Sequence, residues 1–580
     1  MVTAKAKMPE ESPEALSSGE GTVENPDARS DKDATAKDTA EEFEYISGMR
    51  LFLVMGSITL VGFLMLLDMS IISTAIPRIT TEFKSIQDVG WYGSAYNLSS
   101  AALQPLTGKI YTYFKAKWSF ISFLAIFALG SLVCGVAQSS AVLVVGRAIA
   151  GLGTSGLQNG AMTIISNCIP FEKRPAYLGI LMGCSQLGIV TGPLIGGAIT
   201  QYSTWRWCFY LNLPAAAVVS GILVICHIPE RPVKTDRSVF SIVLSEMDLS
   251  GFAIFAPSAV MFLMGLEFGG REHPWNSATV IGLLVGSAVG FVLFFVWEHR
   301  QGDKAMFPLA MIKKREVWTS MMAGMLLMGG IVFPAAFYLP IYFQTVKGAS
   351  PFMSGVDVLP NILGTTVFAV LSGVLVRKTR YYVPWVLFSA VLSSIASGLL
   401  TTLQPDTSTG KWIGYQILLS ARGACIQMPL VAVQLVLPQE QLSIAMALLV
   451  FSNTFGGAVF LTIVQTIFAN HLASELAQKF SPTQVAGILS AGARGIPDVV
   501  SGDALQFVLQ AYSDSVDLVF YVPLASAICL FVVAWGMGWH DITKKGGPPG
   551  SVGQPKDEEK ASPSAEVPKQ GEQNPGKGPL

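Results

Sequence analysis

Asp68, Arg147 and Arg422 are ionisable side chains set deep inside long apolar runs of this 580-residue chain. An ionisable group at membrane depth costs on the order of a few kcal/mol unless it is paired or hydrated, so each is a candidate for function. A carboxylate that moves between wet and dry surroundings changes its affinity for a proton, which is what coupling a proton to a conformational change requires. Asp68 is the candidate proton carrier. Its static alternatives are an ion pair with a basic residue or a cap on a backbone break near Ser70 and Ser73. Arg147 either tunes that carboxylate or pairs with it. Gln158, Gln186, Gln344, Gln427, Gln434 and Asn453 are neutral polar groups in apolar runs, suited to hydrogen-bonding an uncharged ligand or to knitting helices together. The seven cysteines and five histidines show no metal-ligand spacing, so no metal and no cofactor is expected. The chain lacks G-x-x-x-x-G-K-[ST], which excludes ATP-driven pumping through that loop; no residue set suggests catalysis, and nothing points to nucleic acid.

The elements that position these groups follow from composition. Hydrophobic residues make up 51 % of the chain and charged residues 13 %. About fourteen apolar runs, the first at 51–76 and the last at 517–540, are each long enough to cross a hydrocarbon core of roughly 30 Å. They must be helices, because lipid offers the backbone no hydrogen-bond partners. Lys109, Lys115, Lys117, Lys173, Arg174, Lys304, Lys313, Lys314, Arg315, Arg377, Lys378 and Arg380 fall on one side, with Arg231, Lys234, Arg237 and Arg300, and mark it as cytoplasmic. An even helix count puts both tails there.

The expected organisation is a disordered tail over 1–45, a six-helix bundle over 46–228, a cytoplasmic linker and two inserted helices over 229–315, a second six-helix bundle over 316–540 with an outer loop at 471–516, and a disordered tail over 541–580. Three weak internal matches imply that the two bundles are related: Gly108 with Gly373, Arg147 with Arg422, and Gly196-Gly197 with Gly456-Gly457, all at broadly similar offsets. Transporters use such paired halves to alternate access around a midplane site.

In the fifth run Gly188, Gly192 and Gly196 recur every four residues, leaving a helix face that a neighbour can approach closely, and Pro193 removes a backbone donor beside them. The order Gly188-x-x-x-Gly192-Pro193-x-x-Gly196-Gly197 resembles the antiporter signature of major facilitator drug exporters. Leu67–Pro77 and Gly146–Gly153 are similar to the first- and fourth-helix motifs of the same family. Over residues 45–540 the chain looks like a fourteen-helix drug:proton antiporter of the major facilitator superfamily, of the fungal toxin and drug efflux type. The resemblance implies an all-α integral membrane fold and proton-coupled efflux of a hydrophobic or amphiphilic small molecule, with a proton gradient as energy source. The alternative is proton-coupled or facilitated uptake of a nutrient or siderophore. The implied setting is a monomer in the plasma membrane lipid bilayer, multi-pass, with the vacuolar membrane as the alternative. One position departs from the family: four residues after Gly108 the usual aspartate is Thr112, so a carboxylate gate contact is lost, while Lys109, Lys115 and Lys117 keep that inner loop basic and suited to lipid phosphate.

Overall fold

The computed structural model describes residues 45–84, 88–229, 238–270 and 273–542. The tails, apart from Tyr45, Asp541 and Ile542, and the linker residues Arg231, Lys234 and Arg237 lie outside them. Helices fill nearly all of the described chain: α1 Gly48–Phe83, α2 Val89–Tyr113, α3 Ala116–Val136, α4 Ser140–Cys168, α5 Arg174–Tyr202, α6 Asn212–Ile225, α7 Leu249–Phe268 and α8 Ala278–Gln301. They continue as α9 Arg315–Val346, α10 Pro351–Thr379, α11 Val383–Leu400, α12 Thr409–Val436, α13 Gln439–Ala477, α14 Pro482–Val499, α15 Asp503–Val519 and α16 Tyr521–Ala534. Among the described residues twelve helices are long and apolar enough to cross a membrane. Outside those twelve, α2 and α5, with 25 and 29 residues, are the second and fifth long helices of the first half.

Local chemistry sets the boundaries. Ser139, Ser277 and Ser350 accept the first free backbone donors of α4, α8 and α10. Asp248, in the left-handed region at φ 47°, does the same for α7. Two second-half helices are interrupted: α9 by π-turns at Leu326–Val332 and again at Tyr342–Val346, and α12 by a 3₁₀ segment at Ala421–Ala424.

The helices of the two halves start in register. Gly48 corresponds to Arg315, Val89 to Pro351, Ala116 to Val383, Ser140 to Thr409 and Arg174 to Gln439, so five successive helix starts recur at a nearly constant spacing along the chain. Gly108 and Gly373 obey this repeat in space. A β-carbon on Gly108 would stand 2.8 Å from the Ile444 Cα of α13, and one on Gly373 would stand 2.9 Å from the Ala176 Cα of α5. Gly179 and Gly183 of α5 lie against Ala369 and Thr366 of α10. These contacts gather near the end of the molecule that carries Lys109, Lys173, Arg174 and Lys304, the basic end. The largest apolar cluster there joins Ile164, Ile165 and Leu178 to Val433, Leu442, Ile444 and Leu448. At the opposite end the cluster of Ile71, Ile79, Tyr92, Leu143 and Trp205 belongs to the first half alone. The halves are thus clamped at the basic end.

Within the expected outer loop at 471–516, α13 runs on to Ala477, and the helices α14 and α15 occupy most of the remainder. Both are amphipathic and bury Ile488, Ile496, Val508 and Tyr512 against the second half. Their apolar stripes are too narrow for spans and suit helices that lie against the second half.

Candidate functional site

Asp68 and Arg147 meet inside the first half. Arg147 Nη1 lies 2.5 Å from Asp68 Oδ2, and each side chain is 1 % exposed. The helix carrying Asp68 runs unbroken from Gly48 to Phe83, so the carboxylate caps no break near Ser70 or Ser73. Asn212, at the start of α6, donates to the other oxygen, Oδ1, at 2.8 Å and also touches Ser131 Oγ at 3.1 Å. Arg147 is held in turn: Nε donates to the Tyr92 carbonyl at 2.8 Å, and the guanidinium lies 4.4 Å from the centre of the Tyr96 ring. Tyr96 accepts a hydrogen bond from Thr154 at 2.7 Å. A buried ion pair is tolerated only when its remaining lone pairs and protons are satisfied, and Asn212 and the Tyr92 carbonyl supply that. The arrangement can store a charge and release it: protonating Asp68 would leave Arg147 without its anion.

Among its described residues the second half lacks this pair. Gln416 of α12 donates to the Asp357 carbonyl of α10 at 2.9 Å, just as Arg147 of α4 donates to the Tyr92 carbonyl of α2. Aligning α12 on α4 by their starts places Gln416 opposite Arg147. Arg147 therefore has Gln416 as its counterpart, and its match to Arg422 is a correction. The glycine that follows Arg422, like the glycine beyond Arg147, misled the alignment. Aligning α9 on α1 in the same way puts Ala335 opposite Asp68.

The glycine motif of α5 packs within its own half. A β-carbon at Gly188 would reach 2.7 Å from the Leu67 backbone nitrogen, one at Gly192 2.6 Å from Ser70 Cβ, and one at Gly196 2.7 Å from Ile71 Cγ1, all on α1. Ser70 Oγ adds a 2.7 Å hydrogen bond to the Ile189 carbonyl. Gly197 faces open space. Pro193 lies within the uninterrupted helix α5. The face thus fixes α5 on the helix that carries Asp68.

The six neutral polar candidates separate into two groups. Gln427 is fully buried and bonds the Ala369 carbonyl at 2.7 Å and Ser372 Oγ at 3.1 Å, tying α12 to α10. Gln434 is buried between the halves, with Arg174 Nη1 at 3.5 Å and Ser166 Oγ at 3.4 Å. Gln158, Gln186, Gln344 and Asn453 are half-buried. Gln344 reaches Ser354 Oγ at 3.4 Å, whereas Gln158 Oε1 and Asn453 Oδ1 have no partner among the described residues.

At the basic end Lys109 is a further correction. It is 1 % exposed within α2 and cannot reach lipid phosphate; Nζ donates to the Lys304 carbonyl at 2.7 Å. Asp248, Glu298 and Glu246, from the linker and the inserted pair, surround it with negative charge. Asp248 accepts from Trp297 Nε1 at 2.8 Å and from the Met306 backbone nitrogen at 3.1 Å, and Glu298 accepts from the Phe307 backbone nitrogen at 2.7 Å. Thr112 donates to the Gly108 carbonyl at 2.8 Å within its own helix. Lys115 is exposed, and Lys117 donates to the carbonyls of Val224 and Cys226 at the end of α6. Asn212, Gln416 and the three linker carboxylates are the residues that sequence reasoning missed.

Residues 58–461 match the sequence profile of the Major Facilitator Superfamily. The chain is 51 % identical over 541 residues to the MFS-type transporter pigP of Monascus ruber, covering 93 % of this chain and 95 % of the relative. It is 47 % identical over 532 residues to the efflux pump mlcE of Penicillium citrinum, covering 89 % and 96 %. A solved structure of the proton:xylose symporter XylE shares the fold, with TM-score 0.54 at 15 % identity over 85 % of this chain and 98 % of that one.

Proposed function

The chain belongs to the major facilitator superfamily, and from that premise we propose that it exports a hydrophobic or amphiphilic small molecule by alternating access driven by a proton gradient. It is a multi-pass membrane transporter and not an enzyme. The observation that carries the reading is the pair of in-register halves clamped at one end by Gly108 and Gly373. Two halves that meet through small residues can rock about the contact and expose a site between them to either side in turn. Relatives named as efflux pumps support export over uptake.

Asp68 carries the coupling proton, and Arg147 and Asn212 hold the unprotonated state. The basic end is cytoplasmic, the termini lie on that side, and the plasma membrane is the site of action. The chain works as a monomer. The experiment is efflux from cells loaded with a fluorescent amphiphile, run with the proton gradient intact and then collapsed. Gradient-dependent efflux above that of cells lacking the chain is expected; efflux unchanged by collapse would remove the proton from the mechanism.

A further inference from the structure

We infer that Arg422 is an anion subsite that takes the carboxylate of an amphiphilic cargo, an assignment that rests on the transport reading above. Arg422 lies about midway along the 28-residue span α12, inside its 3₁₀ interruption. Interrupted helices near the bilayer midplane are where transporters of this kind place ligand groups. The side chain is 4 % exposed, Nε and Nη1 have no hydrogen-bond partner, and no carboxylate among the described residues pairs with it. A second observation points the same way. Helix α11 packs against the interrupted segment and buries Ser389, Ser393 and Ser397 at successive turns, each hydroxyl without a partner. Guanidinium nitrogens are donors only, and each of these serine hydroxyls can donate to an incoming carboxylate.

The contrast with the first half sharpens the assignment. There the buried arginine has its own aspartate and asparagine; here the protein supplies no anion. An unpaired guanidinium destabilises a membrane helix, and a cargo carboxylate would pair it through charge-assisted, bidentate hydrogen bonds. An apolar body attached to that carboxylate would lie among the surrounding apolar helices.

The test uses the full chain in lipid nanodiscs, titrated with naphthalene-2-carboxylate and separately with naphthalene-2-carboxamide, following tryptophan quenching and thermal unfolding. The carboxylate is expected to bind at least about tenfold more tightly than the amide. Arg422→Gln should erase that preference, and Arg422→Lys, which keeps the charge and guards against loss of fold, should retain part of it. No difference between the two probes in the wild-type chain, or an undiminished preference in Arg422→Gln, overturns the assignment. Acetate, which has the charge without the apolar body, should compete weakly; competition equal to the naphthoate would make this a free-anion site and overturn the cargo assignment. Export of a neutral amphiphile by the wild-type chain is measured in parallel: its dependence on the proton gradient leaves the transport reading intact whatever the fate of the subsite.

Discussion

Arg147 and Gln416 make one hydrogen bond twice, each donating to a backbone carbonyl two spans earlier in its own half, Tyr92 in the first and Asp357 in the second. Only Arg147 has a carboxylate beneath it. Among the described residues a buried arginine–carboxylate pair is therefore confined to the first half, and the second half makes the same hydrogen bond with a neutral donor.

Asp68→Asn removes the proposed proton site while keeping the shape. Gradient-driven export should fall to background with surface abundance near wild type, and binding of a fluorescent amphiphile should persist. Arg147→Met is expected to behave differently, because it strands a buried carboxylate and should destabilise the fold by about 3–5 kcal/mol. Thermal unfolding in detergent, read beside export, checks both; uphill export by well-folded Asp68→Asn would move the proton to another group.

Gly108→Val and Gly373→Val should force the clamp apart, since a β-carbon at either position already meets backbone atoms of the facing helix. Labelling of a cysteine placed at Ala447 by a thiol reagent applied to the basic end should rise in both variants and stay low in the parent. Unchanged labelling would mean that the halves separate elsewhere.

Gly192→Ala and Gly196→Ala should reduce export through closer contact with α1, whereas Gly197→Ala, which faces open space, should leave it within about twofold. Equal losses at all three would show that the tight α1–α5 face does not govern transport.

Lys109→Met should loosen the inserted pair from α2. Three carboxylates would lose the cation they surround, and cleavage by a protease added at the basic end should increase within 246–309. Restoration by Lys109→Arg is expected; no change in cleavage would leave the inserted pair held by apolar packing alone.

At the opposite end, Arg206, at 2.9 Å, and Trp205, at 2.7 Å, hold the Glu82 carboxyl below the usual carboxylate range. A depressed folded value means stabilisation that is present above the unfolded value and lost as pH falls through the folded one. Glu82→Gln should flatten the acid limb of a melting-temperature profile in detergent, by a small amount because the pair is partly exposed.

The spans were legible because length and apolarity are local: α1 begins at Gly48 and α16 at Tyr521, within a few residues of the expected 51 and 517. The ion pair was legible in its members, since two charges inside apolar runs stand out. Its third member was not. Asn212 is distant from Asp68 in the chain and looks like any polar residue at a helix start. The carboxylates around Lys109 were hidden for the same reason: which linker acid folds back on which lysine depends on the path of α7 and α8. Arg422 was mistaken for the counterpart of Arg147 because the position that keeps the hydrogen bond, Gln416, has lost the charge. A match by residue type follows the charge, whereas the fold keeps the donor.

Helix α13 has a consequence for mechanics. Its 39 residues make a rod about 58 Å long, nearly twice the thickness of a bilayer core. Ser443 and Ile444, near one tip, press on Gly108, and the other tip leads into α14. A stiff lever of that length converts each degree of tilt at the clamp into about 1 Å of travel at the far tip. Under the proposed rocking, the amphipathic helices attached there ride as a pointer at the far end of the lever, and a binder that grips α14 is expected to brake the movement at the clamp.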